Sequence, residues 1–420
     1  MRLRSLVVSL SLTVVLLGGS AVVGGTTTWS QVGAPILGTA PYDYTGWGIA
    51  ASGDGSRIAI GSIEDPGGPG RVQVYGWDGI NWSQVGATLV GDAVDDRFGY
   101  SVAMSTDGTR LAVGAPFDAG GGNRRGSVRV FELVGSTWTQ LGGDIDGNVS
   151  NSRFGLAVAL SGSGSRVAVG APQSLPGAGE VRSFDWNGSA WVQHVSNIVG
   201  VEPGDQLGTS IALSADGNRL AVGAAEHDSA RGHVRVFDWN GSGWTQAGVD
   251  IDGVSPGDRA GWAVALSADS SVLAVGSPFR DGAGTARGQV RVFRWGGSAW
   301  TPVGADIDGT EDNADFGTAV ALSADGLRVV AGAPFADAGG QNRGRAIAFD
   351  WDGAAWVQAG ASVDGVTTNG FAGRSLALSG TGTRFVVAAP YDGDGSTPVG
   401  RVRVFEAPRY VAPVGPAYTG

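Results

Sequence analysis

Phe316-Gly-Thr-Ala-Val-Ala-Leu-Ser323 is followed by Ala324-Asp-Gly326 and then by Arg328-Val-Val-Ala-Gly-Ala-Pro334. Two runs of strand-forming residues flank an Asp-Gly turn, and a proline ends the second run because it cannot donate to a ladder. In the first run Val320 and Leu322 alternate with alanines, the two-residue period of a strand that packs one face. A Gly-rich loop leads to Ala346-Ile-Ala-Phe-Asp-Trp351, and an Asp352-Gly353 turn leads to Trp356-Val-Gln358. This unit therefore predicts four antiparallel strands.

The unit repeats along the chain. The glycine of its Phe-Gly pair aligns with Gly48, Gly99, Gly155, Gly208, Gly261, Gly317 and Gly373, at intervals of 51 to 56 residues. Seven such units, none with helical periodicity, predict an all-β fold: a seven-bladed β-propeller with four antiparallel strands per blade. The last unit has its third strand, Arg401-Val-Arg-Val-Phe405, but lacks a Trp-x-Gln strand after it. A spare one stands at Trp29-Ser-Gln31, so the N-terminal strand is expected to close the ring. The paired tryptophans of Trp186-Asn-Gly-Ser-Ala-Trp191 and its repeats flank hairpin turns. They are read as packing elements rather than a sugar platform.

Composition narrows the function. The chain has 420 residues, a net charge of −11, 74 glycines and no cysteine. The acidic balance excludes a general nucleic-acid binder, and the absence of thiols excludes disulfides and cysteine chemistry. Arg2 and Arg4, the apolar run Leu6 to Leu17 and the small residues 18–21 read as an export signal. Residues 1–25 are thus expected to be a signal peptide, 26–405 the propeller and 406–420 a Pro-rich tail. A secreted or cell-surface monomer follows, with no membrane segment beyond the signal.

Phe98-Gly99 with Gly114-Ala-Pro116, Phe154-Gly155 with Gly170-Ala-Pro172, and Phe316-Gly317 with Gly332-Ala-Pro334 resemble FG-GAP repeats, which build the seven-bladed propeller of integrin α subunits. Over about residues 26–405, the resemblance implies an extracellular recognition or adhesion module. In many such proteins the first hairpin carries an Asp-x-Asp-x-Asp-Gly calcium loop. Here it is a short turn, as in Ser105-Thr-Asp-Gly-Thr-Arg110, and one carboxylate cannot supply the six to eight oxygens that calcium takes. No cofactor is expected, and no calcium at these hairpins.

With the first strand innermost, tight turns fall on one face, and the longer second-to-third loops and blade crossings on the other. Variable loops on a rigid scaffold are where binding resides. The candidate binding residues on that face are Asp118, Arg124, Arg125, Asp281, Asp337, Arg343, Asp392 and Asp394. The crossing with Asp306, Asp308, Asp312 and Asp315 is a candidate for weak calcium binding; the competing reading is that these aspartates cap turns. The three histidines are scattered, and His227 and His233 read as two solvated imidazoles. No catalytic constellation emerges. The expected function is non-catalytic recognition of an extracellular protein or glycan, and the alternative is an exported lyase or hydrolase acting on polysaccharide.

Overall fold

The computed structural model describes residues 28–64, 67–119, 123–175, 177–194, 196–393 and 397–407. The export signal, residues 408–420 of the tail and Asp394 lie outside the described residues; Glu406, assigned to the tail from sequence, instead ends the strand Arg401–Glu406.

Seven antiparallel sheets form the fold, all-β as the repeat predicts. Blade 3 shows the plan: Ala157–Leu160, Arg166–Ala171, Glu180–Trp186 and Trp191–Gln193 follow one another across the sheet. The first strand of each blade neighbours that of the next, and Ser375–Leu378 of blade 7 neighbours Ile49–Ala51 of blade 1, so first strands line the axis. Closure follows the expected route. Ser30 and Gln31 pair with Glu406 and Phe405, and Trp29 stands edge-on to Phe385 with ring centroids 4.4 Å apart. Among the described residues no helix is long and apolar enough to cross a membrane.

Two features depart from the expected unit. A two-residue fifth strand, such as Ile145–Asp146, pairs with the start of the third strand in every blade; in blade 7 it is Ile36–Leu37. The Asp-Ile-Asp crossings are therefore strands, with the isoleucine buried and the following aspartate outward by the two-residue period. The repeat glycine of blade 1 is also Gly46, not Gly48. Gly46 N–H donates to Gly61 O as Gly99 N–H donates to Gly114 O. Gly46 takes φ +95° and the other six repeat glycines +84° to +93°, whereas Gly48 has no positive φ.

The motif's chemistry is now visible. A Cβ on Gly114 would lie 2.1 Å from the carbonyl oxygen of Gly155, so the GAP glycine of one blade admits the Phe-Gly backbone of the next. Apolar clusters likewise straddle blade boundaries, as where Ala112 and Val130 of blade 2 meet Val158, Val167 and Phe184 of blade 3.

Three polar ties repeat at these boundaries. The fourth-strand tryptophan donates to the preceding blade: Trp191 Nε1 to Leu141 O at 2.8 Å, and Trp29 Nε1 to Ala359 O at 2.6 Å. This supports the packing role of the tryptophan pairs, whose rings in Trp186 and Trp191 are 5.5 Å apart. The arginine opening the second strand reaches the next blade's first hairpin, as Arg166 Nη1 does to Gly217 O at 2.8 Å. Arg166 also pairs with Asp185 and lies over Trp239. Although burial raises the Asp185 pKa, its bonds with Arg166 and His194 hold it below the usual carboxylate range. In five blades a third-strand arginine reaches back to the preceding blade's fifth strand: Arg129 to Val90 O, Arg182 to Asp146 O, Arg235 to Val199 O, Arg291 to Asp252 O and Arg403 to Asp364 O.

Candidate functional site on the loop face

The tight-turn face is self-satisfied. In the first hairpin of blade 2, Ser105 Oγ donates to Asp107 at 2.6 Å, and Asp107 also accepts Thr109 N–H at 3.0 Å. Burial opposes ionisation, but these bonds hold Asp107 below its ordinary pKa. The same arrangement holds Asp54, Asp216 and Asp269 low, so each carboxylate serves its own turn.

On the opposite face three positions per blade converge around the axis. The first lies two residues before the repeat glycine: Tyr44, Arg97, Arg153, Gln206, Arg259, Asp315 and Phe371, all at φ between +50° and +56°. The second follows that glycine and includes Trp47, Tyr100, Trp262 and Arg374. The third follows the second strand and includes Phe117, Phe279, Phe335 and Tyr391. Glycine or asparagine adopts positive φ at least cost. The αL position two residues earlier uses them in five blades, as Asn151, Gly204, Gly257, Asn313 and Asn369. The converging position instead holds long or aromatic side chains in six blades and Asp315 in the seventh, the kind of strain that accumulates where a side chain has work to do.

These side chains meet. Rings run in contact from Phe335 to Phe371 at 5.1 Å, Phe371 to Tyr391 at 5.1 Å, Tyr391 to Tyr44 at 5.0 Å, and on through Trp47 and Tyr100 to Phe117. The arc spans blades 6, 7, 1 and 2. Phe117 carries three guanidinium groups, with Arg97, Arg124 and Arg153 at 4.5, 5.6 and 5.5 Å from its centroid. Arg374 lies over Trp47 at 5.1 Å. Arg124, Arg153 and Arg374 enter no ion pair among the described residues. A second, smaller group in blade 5 joins Trp262, Phe279 and Arg259, and Arg259 is paired with Glu226 at 3.0 Å.

Of the residues singled out from sequence, Arg124 joins this arc. Asp118 accepts Ser127 Oγ at 2.5 Å, Asp281 accepts Ala286 N–H and Asp337 accepts Asn342 N–H, so each is engaged in its own loop. Arg125 and Arg343 are half-buried, and their backbone carbonyls receive Phe154 N–H and Ala372 N–H. Asp392 is 1% exposed and paired with Arg401 at 3.1 Å.

The four aspartates of the 306–315 crossing do not converge. Asp308 accepts Gln289 Nε2 at 2.8 Å, and Asp312 pairs with Arg287 at 2.6 Å. Burial raises Asp315 to about 6. Among the described residues no three acidic or imidazole side chains gather as metal ligands. His227 and His233 are not two solvated imidazoles. Their rings lie 4.1 Å apart, His227 bonds Asp205 at 2.9 Å, and His233 is 1% exposed because it occupies the buried first position of its blade's third strand. Burial and the neighbouring His227 lower the pKa of His233.

Sequence reasoning missed the arc because its members occupy three separate positions and differ in type from blade to blade. The available signal was the aromatic recurring after the second strand at Phe117, Phe279, Phe335 and Tyr391.

Residues 82–131, from the fourth strand of blade 1 to the third strand of blade 2, match the FG-GAP repeat family. The chain thus carries an FG-GAP repeat on a seven-bladed β-propeller, in keeping with the resemblance read from its motifs. No curated protein matches the chain. Among solved structures it is similar to Kuenenia stuttgartiensis hydrazine synthase, with 13% identity over 88% of this chain and 97% of that one, and a TM-score of 0.59. That likeness is one of fold.

Proposed function

We propose that this chain is an exported, non-catalytic recognition protein that binds an extracellular protein or glycan through the loop-rich face of its propeller. The observation that carries the reading is the aromatic–arginine arc from Phe335 to Phe117. Aromatic rings offer large contact area at small entropic cost, and arginine adds charge and a planar hydrogen-bonding fork. Such residues dominate binding energy where they cluster. The opposite face offers only short turns whose polar groups are already used. Export rests on the N-terminal basic and apolar run.

An array of extracellular proteins and glycans, probed with the mature chain, tests the proposal. Phe117→Ala with Arg153→Ala is expected to weaken the strongest hit at least about tenfold, the effect of losing roughly 1.4 kcal/mol. Asn187→Ala with Asn240→Ala, at turns of the other face, is expected to leave it unchanged. Loss in the second pair alone reverses the faces.

A second reading, a polysaccharide-cleaving enzyme, draws on Asp315, a carboxyl with its pKa raised to about 6 at the axial mouth. Release of reducing ends from uronate-rich polysaccharide, abolished by Asp315→Asn, would favour that reading over simple binding.

A further inference from the structure

Five of the third-strand arginines occupy one repeated site, and blade 6 keeps that site without the arginine. In blade 3, Arg182 donates to Asp146 O at 2.9 Å and through two nitrogens to Gln193 Oε1 at 3.1 and 2.6 Å. It lies over Phe154 at 4.8 Å and Phe184 at 5.1 Å. Blade 4 repeats the arrangement with Arg235 on Val199 O, Gln246 Oε1 and Phe237. In blade 2 Arg129 covers Phe98 and Phe131.

The matching position in blade 6 is Ile347. Every other component is present. Asp308 ends the preceding fifth strand, Gln358 ends the fourth strand, and Phe316 and Phe349 stand as the aromatic pair, with centroids 6.1 Å apart at 74°. Together with Glu311 they line a cavity of about 160 Å³ between blades 5 and 6. Gln358 Nε2 is fixed on Gly360 O at 2.9 Å, as Gln246 Nε2 is on Gly248 O at 3.2 Å, which orients the amide oxygen as the acceptor. Asp308, Thr310 and Gln358 are exposed, so the cavity opens to solvent.

We infer that this cavity is a guanidinium-binding pocket that accepts an arginine side chain from a polypeptide partner. Blade 3 shows the full set of walls holding a guanidinium, and blades 2, 4, 5 and 7 hold one on the same carbonyl with part of the set. A guanidinium beside the two rings gains cation–π attraction from them, while its edge donates to the Gln358 amide oxygen and the Asp308 carbonyl. Asp308 and Glu311 add negative charge at the opening, against the single lining cation Arg345, which is paired with Asp364 at 2.7 Å and stands 3.9 Å from Glu311. A lysine ammonium has the charge but neither the plane nor the fork. This inference is independent of the loop-face arc.

The test is calorimetric titration of the full chain with the blocked peptides Gly-Arg-Gly and Gly-Lys-Gly, and with agmatine as a small guanidine. Saturable binding of the Arg peptide, at least tenfold tighter than the Lys peptide, is expected. Ile347→Arg, which supplies an internal guanidinium, is expected to abolish binding and raise the melting temperature; Ile347→Phe, which fills the space with carbon, is expected to abolish binding as well. Equal binding of both peptides, no saturable binding of the Arg peptide, or binding undiminished in either variant overturns the assignment. Binding of agmatine alone contradicts the polypeptide partner.

Discussion

Single residues at blade boundaries hold much of this structure. Gly155 takes φ +87°, and a Cβ there would lie 2.6 Å from Ser127 O. Gly155→Ala is therefore expected to lower unfolding free energy by about 1–3 kcal/mol from backbone strain, measured by denaturant titration. Trp191→Phe, which keeps a phenyl ring but removes the pyrrole half of the indole with its donor to Leu141 O, is expected to cost at least about 0.5–1.5 kcal/mol, the share of the hydrogen bond alone. Titration gives a further test. Burial raises Asp315 to about 6 from an ordinary 3.8, so the folded chain keeps a proton that the unfolded chain has released. Stability from this group is present at low pH and is lost as pH rises from about 4 to 6. Asp96, also raised to about 6 by burial, acts in the same direction. Asp315→Asn is expected to flatten the fall in melting temperature over that window; an unchanged slope would show that Asp315 is ionised in the fold.

At the scale of elements, the four main strands of each blade were legible because period-two alternation, Asp-Gly turns and terminal prolines agree with one another. The fifth strand was not, since two residues such as Ile145 and Asp146 carry no periodicity and their aspartates drew attention as ligands. The misplacement of the first repeat glycine has a similar cause. Trp47 separates Gly46 from Gly48, and only the positive φ and the bond to Gly61 O distinguish them. The Ser-x-Asp-Gly turns make a prediction of their own. Asp107 and Asp216 are already satisfied by serine, threonine, asparagine and backbone donors. Chelation with EGTA is therefore expected to leave the melting temperature within about 1 °C, since surface sites without a specific role contribute less than about 0.5 kcal/mol. Calorimetric calcium binding at several turns would contradict this.

For the whole molecule, ring closure replaces the terminal caps that an open repeat array needs. It was readable from an orphan Trp-x-Gln run at one end and a missing one at the other. The working face was readable only as a preference for long loops. Asp118, Asp281 and Asp337 turned out to serve their own loops, and its aromatic arc depends on side chains from four blades that only the closed ring assembles. Among the described residues a groove of about 670 Å³ lies between blades 6 and 7, beside Arg328, Trp351 and Glu406. Deleting residues 26–33 is expected to expose the edge of Arg401–Glu406 and to produce aggregation or a large drop in melting temperature in a light-scattering thermal ramp.

Hydrogen–deuterium exchange with the strongest array hit bound tests the central claim, that the loop face recognises the partner. Protection is expected in the crossings at 42–47, 95–100 and 151–156 and in the loop segments around Phe117 and Tyr391, with no change at the turns 187–190 and 240–243. Protection confined to those turns, with the crossings unchanged, would place the binding surface on the opposite face and contradict the account.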